Sequence, residues 1–149
     1  ASDHLALHDR PSITQLRATA ASSKRAYHQA GITSNDIDFA EVHDCFTIAE
    51  LMATEDLGFA ERGAGGQFAR NEEGLLNQGS VTINPSGGLK SKGHPLGSTG
   101  TGQVVEVLKQ LRSEVESNRQ VRDASIGLTH NVGGSGATCA VHVFGRDRN

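Results

Sequence analysis

The chain has 149 residues, a net charge of −3 and 21% charged residues, which is room for one domain with a buried core and leaves no basic excess for nucleic acid. It has no Trp, one Tyr and five Phe, so the aromatic platforms on which single strands stack are missing. No apolar run approaches the ~20 residues of a membrane span, the N-terminus carries no signal-peptide pattern, and Cys45 and Cys139 stand in unrelated contexts, so the expectation is a soluble, cytoplasmic protein with neither a disulfide framework nor a paired metal motif.

Residues 1–10 show little pattern. The first helix is predicted over 14–30, with Ser12 or Thr14 as its cap, a rough apolar stripe of Ile13, Leu16, Ala20 and Tyr27, and Gly31 as its stop. Residues 34–37 read as a turn and 39–42 as a short strand, which puts His43, Asp44 and Cys45 at a strand's carboxyl end. A second helix follows over 46–57, ended by Gly58. Residues 60–79 are polar and glycine-rich, a surface excursion with a helical turn near 71–76. A short strand at 80–84 feeds a glycine-punctuated loop, and a third helix runs from Gly97 or Ser98 to Arg112 with Val104, Val107, Leu108 and Leu111 on one face. After a charged connection over 113–122, strands are predicted at 124–129 and 137–144, the second alternating Cys139, Val141 and Val143 against Ala140 and His142. Strands alternating with helices predict a layered α/β domain, whose ligands gather outside the carboxyl ends of its strands.

The loop is the feature with chemistry in it. It reads Asn84-Pro85-Ser86-Gly87-Gly88-Leu89-Lys90-Ser91-Lys92-Gly93-His94-Pro95-Leu96-Gly97-Ser98-Thr99-Gly100 and delivers one histidine to the mouth of a helix. Glycines let backbone approach a ligand and adopt positive φ, and Pro95 biases His94 toward an extended conformation. The positive end of the helix dipole favours a neutral, basic imidazole there.

Gly93-His94-Pro95-Leu96-Gly97-Ser98-Thr99-Gly100 resembles the second-histidine motif of thiolases, which make or cleave a carbon–carbon bond beside a coenzyme A thioester. Two further segments agree in order and spacing. Glu41-Val42-His43-Asp44-Cys45-Phe46 resembles the loop that reads His-Asp-Cys-Phe in the sterol-carrier type, and His130-Asn131-Val132-Gly133-Gly134-Ser135-Gly136 resembles the last catalytic loop. The resemblance spans nearly the whole chain and is closest to archaeal and sterol-carrier-type acetyl-CoA acetyltransferases. It implies a layered α/β/α half, a mixed sheet flanked by helices, with residues 1–149 forming a thiolase C-terminal domain, in one reading short of its first strand.

The resemblance assigns roles residue by residue. His94 takes the proton from a reactive cysteine and helps hold a thioester oxygen. His43 organises the oxyanion side, the alternative being a hydrogen-bonded structural histidine. Asp44 braces its loop. Cys45 replaces the proton-shuttling cysteine of other thiolases, since Asn131, at the matching position, cannot shuttle; a nearby imidazolium would bring its thiol toward neutrality, and the alternative is a small buried hydrophobe. Gly133, and with it Gly134, offers amide N–H groups to an oxyanion or simply makes a tight turn. Phe46 is core or pocket wall, and Phe46, Gly93 and Gly134 join the binding of the acyl-CoA. Cys139 is core, and His130 has no supported role.

The implied reaction is Claisen exchange, two acetyl-CoA giving acetoacetyl-CoA and coenzyme A, with coenzyme A thioesters as substrates and neither cofactor nor metal. The nucleophilic cysteine of the family lies in the N-terminal half, and neither cysteine here has its context. The chain is then inactive alone, as a fragment of a homo-oligomeric full-length enzyme or beside a separate N-terminal subunit. A non-catalytic acyl-CoA-binding or partner subunit and a thiolase-like aldolase are the alternatives.

Overall fold

The computed structural model describes residues 1–146. Four strands, β1 (Phe39–Glu41), β2 (Thr82–Ile83), β3 (Ile126–Gly133) and β4 (Thr138–Gly145), form one sheet in the order β2-β1-β3-β4. β1 pairs in parallel with β2 and with β3, and β4 returns antiparallel to β3. The carboxyl ends of β2, β1 and β3 therefore share one edge of the sheet.

Alternation along the strands separates two cores. Ala40, Val42 and Leu128 point to one face, where they pack with Ile37, Ala53, Leu57 and Phe68. That face is covered by α1 (Arg17–Ala30), α2 (Thr47–Asp56) and α3 (Gly65–Arg70). Phe39 points to the other and packs with Val107, Leu111, Val121 and Ala124 under α5 (Thr99–Leu111). Gly127 makes that contact possible, since a Cβ there would lie 2.5 Å from Cζ of Phe39 and 2.8 Å from Cγ1 of Val107. With helices on both faces, every β1 residue is buried. The architecture is the expected three-layered mixed sheet.

Several local expectations are corrected. α1 starts at Arg17 rather than at 14, and neither Ser12 nor Thr14 caps it. The Leu16 N–H donates instead to Oδ2 of Asp56, at the end of α2, over 2.6 Å. Its buried face is Ala18, Thr19, Ser22 and Ser23, while Ile13 is 70% exposed. Small residues let α1 lie close to β4, and Ser22 Oγ donates to the Cys139 carbonyl at 3.0 Å. Gly31 ends the helix as expected, at φ +69°. The helical turn predicted at 71–76 is instead α3, at Gly65–Arg70. β3 runs on to Gly133, so His130 to Gly133 belong to a strand rather than to a loop. The predicted loop after β2 contains a short helix, α4 (Gly88–Lys92). α5 buries Gln103, Glu106, Val107, Gln110 and Leu111, rotated from the stripe expected from Val104 and Leu108.

Candidate active site at the carboxyl edge of the parallel strands

Two carboxylates tie the β2–α5 connection to the end of β1. Glu41, the last residue of β1, accepts from Ser86 Oγ at 2.7 Å and from the Ser86 N–H at 3.1 Å, with Lys92 Nζ at 3.3 Å. Burial pushes its carboxyl up, opposed by Ser86 and Lys92. Asp44 accepts from the N–H groups of Leu89 at 2.7 Å and Lys90 at 3.3 Å, which caps α4 from outside. Gly88 is required where it stands: φ is +67°, and a Cβ would lie 2.3 Å from Oδ2 of Asp44. Asp44 thus braces the loop, as expected.

This bracing carries His94 to His43. Their ring centroids are 4.8 Å apart and the planes meet at 86°, edge to face. His43 is 5% exposed, whereas His94 is half-buried. His94 is held through Nδ1, 2.7 Å from Oγ1 of Thr99, the first residue of α5. The same hydroxyl gives its one hydrogen to the Pro95 carbonyl at 3.2 Å, so toward His94 it accepts, Nδ1 carries the proton and Nε2 is the bare nitrogen. Burial, followed by the proximity of His94, pushes the pKa of His43 down, with Asp44 opposing.

Beneath the pair lies a second layer. The His43 N–H donates to Nδ1 of His130 at 3.3 Å, so His130 carries its proton on Nε2, 2.9 Å from Thr19 Oγ1. Thr19 Oγ1 donates in turn to Cys139 Sγ at 3.6 Å. Complete burial, with His43 adding to it, holds His130 down at about 3, so it is a neutral structural residue. On the α5 face, Asn131 Nδ2 lies 3.4 Å from His43 Nδ1 and 3.2 Å from Gln103 Oε1.

The other candidates fall around this pair. Cys45 sits two residues past His43, half-buried, and burial pushes its thiol up rather than toward neutrality, so the expected lowering by an imidazolium is corrected. Phe46 is 71% exposed, so it is not core. Gly93 ends α4 at φ +87° with open space around its Cβ position. Gly133 follows Asn131 by two on β3, on the same face, and pairs with Thr138. Gly134 makes the tight turn into β4, at φ +55° and accepting from the Ala137 N–H at 2.9 Å. Cys139 is buried core. Gln103, Thr99 and Glu41 were not singled out from sequence. Thr99 had a signal, as the first hydroxyl of the helix beyond His94; Gln103 had none, since a polar residue in a helix reads as solvent-facing.

A family model described as thiolase C-terminal domain-like matches residues 1–146. The chain is 52% identical over 147 residues to an acetyl-CoA acetyltransferase of Methanothermobacter thermautotrophicus, covering 98% of this chain and 38% of that protein. It is 45% identical over 116 residues to sterol carrier protein 2 of Bos taurus, covering 78% of this chain and 21% of that protein. Among solved structures, the Ltp2-ChsH2(DUF35) aldolase is similar with a TM-score of 0.81 at 26% identity, over 95% of this chain and 35% of that one. The chain thus spans well under half the length of these relatives.

Proposed function

The chain belongs to the thiolase C-terminal domain-like family, and from that premise we propose that it supplies the proton-transfer and oxyanion side of Claisen condensation and thiolysis of coenzyme A thioesters, as in an acetyl-CoA acetyltransferase. The observation that carries the reading is the edge-to-face pair of His43 and His94 at the shared carboxyl edge of the parallel strands.

In this reading the nucleophilic cysteine comes from an N-terminal half outside this chain, on the same polypeptide or on a partner. Its thiol gives its proton to Nε2 of His94 and attacks the thioester carbonyl, and coenzyme A departs as a thiolate. Once the acyl-enzyme has formed, the departed coenzyme A thiolate takes the proton of Cys45, which burial holds as a neutral thiol, and leaves Cys45 as a thiolate. The thiolate then takes the α-proton of a second acetyl-CoA, and the developing enolate oxygen sits between His43 and His94. Attack on the acyl-enzyme puts charge on a second oxygen, received at the Gly133 amide, and collapse releases acetoacetyl-CoA and the cysteine thiolate, which takes its proton back from Nε2 of His94. Phe46 and Gly93 border the same edge and would flank the thioester. Coenzyme A is substrate and product throughout.

The purified chain alone should not thiolyse acetoacetyl-CoA, and joining it to a nucleophile-bearing N-terminal half should restore turnover, followed as loss of acetoacetyl-CoA absorbance. Turnover by the chain alone that Cys45→Ser abolishes would overturn the assignment. A second reading, cleavage of a carbon–carbon bond without an acyl-enzyme, is favoured by the likeness to the aldolase and by burial raising both thiols of this chain.

A further inference from the structure

Gln103 is 1% exposed and reaches from the second turn of α5 into the sheet, where its Nε2 lies 3.3 Å from the Glu41 carbonyl oxygen and 3.0 Å from that of His130. Carbonyl oxygens only accept, so the Gln103 amide has one orientation, nitrogen to the sheet and Oε1 outward. Oε1 in turn only accepts, so Asn131 presents its NH₂ group to it at 3.2 Å. The other hydrogen of that NH₂ then points at His43 Nδ1, 3.4 Å away, which must be the bare, accepting nitrogen. The direction of every bond in this chain follows from two backbone carbonyls, which cannot change theirs. We infer that Gln103 and Asn131 are positioning residues forming an amide relay, anchored on the carbonyls of Glu41 and His130, that locks His43 as the neutral Nε2–H tautomer and makes it a permanent donor to a substrate oxygen.

The relay excludes the alternatives by chemistry. A proton on Nδ1, in the other tautomer or in the imidazolium, would face the Asn131 NH₂ group donor to donor. The remaining neighbours agree: His94 stands at 4.8 Å, and Asp44, adjacent in sequence, spends its oxygens on the N–H groups of α4. The His43 backbone is fixed separately, through the bond of its N–H to His130. His94 is set the opposite way: the Thr99 hydroxyl gives its hydrogen to the Pro95 carbonyl at 3.2 Å and accepts from Nδ1–H, which leaves Nε2 bare. The two imidazoles therefore present opposite states: His94 a bare Nε2 that can accept a proton, and His43 an Nε2 that already holds one. The donor role rests on the thiolase reading; the tautomer does not.

The test is ¹⁵N-histidine NMR on the full chain, with the His43 signals identified by their loss in His43→Asn. The expected wild-type result is a protonated, pyrrole-type Nε2 and a bare, pyridine-type Nδ1, unchanged across neutral pH. Asn131→Asp keeps the shape but replaces the donor with an acceptor, and should move the proton of His43 to Nδ1 or leave both nitrogens protonated. If that variant fails to fold, Asn131→Ala should give a mixture of the two tautomers. A protonated Nδ1 in the wild type, or an unchanged His43 pattern in the Asn131 variant that folds, would overturn the inference. The readout needs no catalysis, so the lock can stand if the thiolase reading falls.

Discussion

His43 and His94 sit ring against ring, yet the protein surrounds them differently. His43 is buried and reached on one side by an amide whose donor direction is fixed two bonds away in the sheet. His94 is half-buried, lies on a loop braced by Asp44, and gives its Nδ1–H to a threonine hydroxyl whose own hydrogen goes to the Pro95 carbonyl. The partner at Nδ1 is what separates them: a donor amide there leaves Nε2 of His43 protonated, and an acceptor hydroxyl there leaves Nε2 of His94 bare.

The largest expected effect separates the two. In the assembled enzyme His94→Ala should slow both acyl transfer and condensation by roughly 10²–10⁴-fold, the usual contribution of a general acid–base group. His43→Ala should cost condensation about 10²–10³-fold, the scale for losing one oxyanion donor, while sparing acylation. Single-turnover measurement of each half-reaction checks this, and equal losses in both would erase the distinction. Cys45→Ser should likewise spare acylation but slow exchange of acetyl α-protons with solvent.

Burial of the histidines also sets a pH dependence of stability. The pKa of His130 is lowered from 6.5 to about 3, and that of His43 is lowered as well. Between those values the unfolded chain binds protons that the folded chain refuses, so stability is full above about pH 6.5 and falls as pH drops toward 3. For His130 the slope is about 1.4 kcal/mol per pH unit. Urea unfolding of His130→Asn against wild type from pH 7 to 4 should show a shallower loss in the variant, and parallel curves would contradict the assignment.

Smaller effects test the bracing of His94. Gly88→Ala meets Asp44 and a positive φ, and should lower stability by about 1–3 kcal/mol in denaturant melts, whereas Gly93→Ala has space and only the φ against it. Thr99→Val removes the hydroxyl from His94 at a cost of about 1 kcal/mol, and Thr99→Ser should restore it. A Thr99→Val enzyme with unchanged acylation would show that the hydroxyl does not orient the base.

The pattern of strands and glycines made part of this legible in the sequence. The strand before His43, the helix after the glycine loop and the convergence of three segments on one sheet edge all follow from local signals. What escaped is what the tertiary structure decides. Asp56 sets the start of α1 across 40 residues, and Asp44 caps α4 across 45, so neither helix end carries its own cap. Gln103 and Gln110 are buried because they satisfy backbone groups, Gln110 Oε1 accepting from the Val121 N–H at 3.0 Å, and hydrophobic periodicity is blind to that reason for burial. The raised thiol of Cys45 likewise follows from its enclosure rather than from the histidine beside it.

Capture of a covalent intermediate separates an acyl-transferring protein from an aldolase. The assembled protein, carrying both halves, is incubated with acetyl-CoA labelled in the acetyl group, quenched in acid and assayed for protein-bound label. Near-stoichiometric label is expected on a cysteine outside this chain, retained in Cys45→Ser and His43→Ala and strongly slowed in His94→Ala. Carbon–carbon bond cleavage by a wild-type protein that takes no label would contradict the thiolase reading and leave the aldolase reading standing.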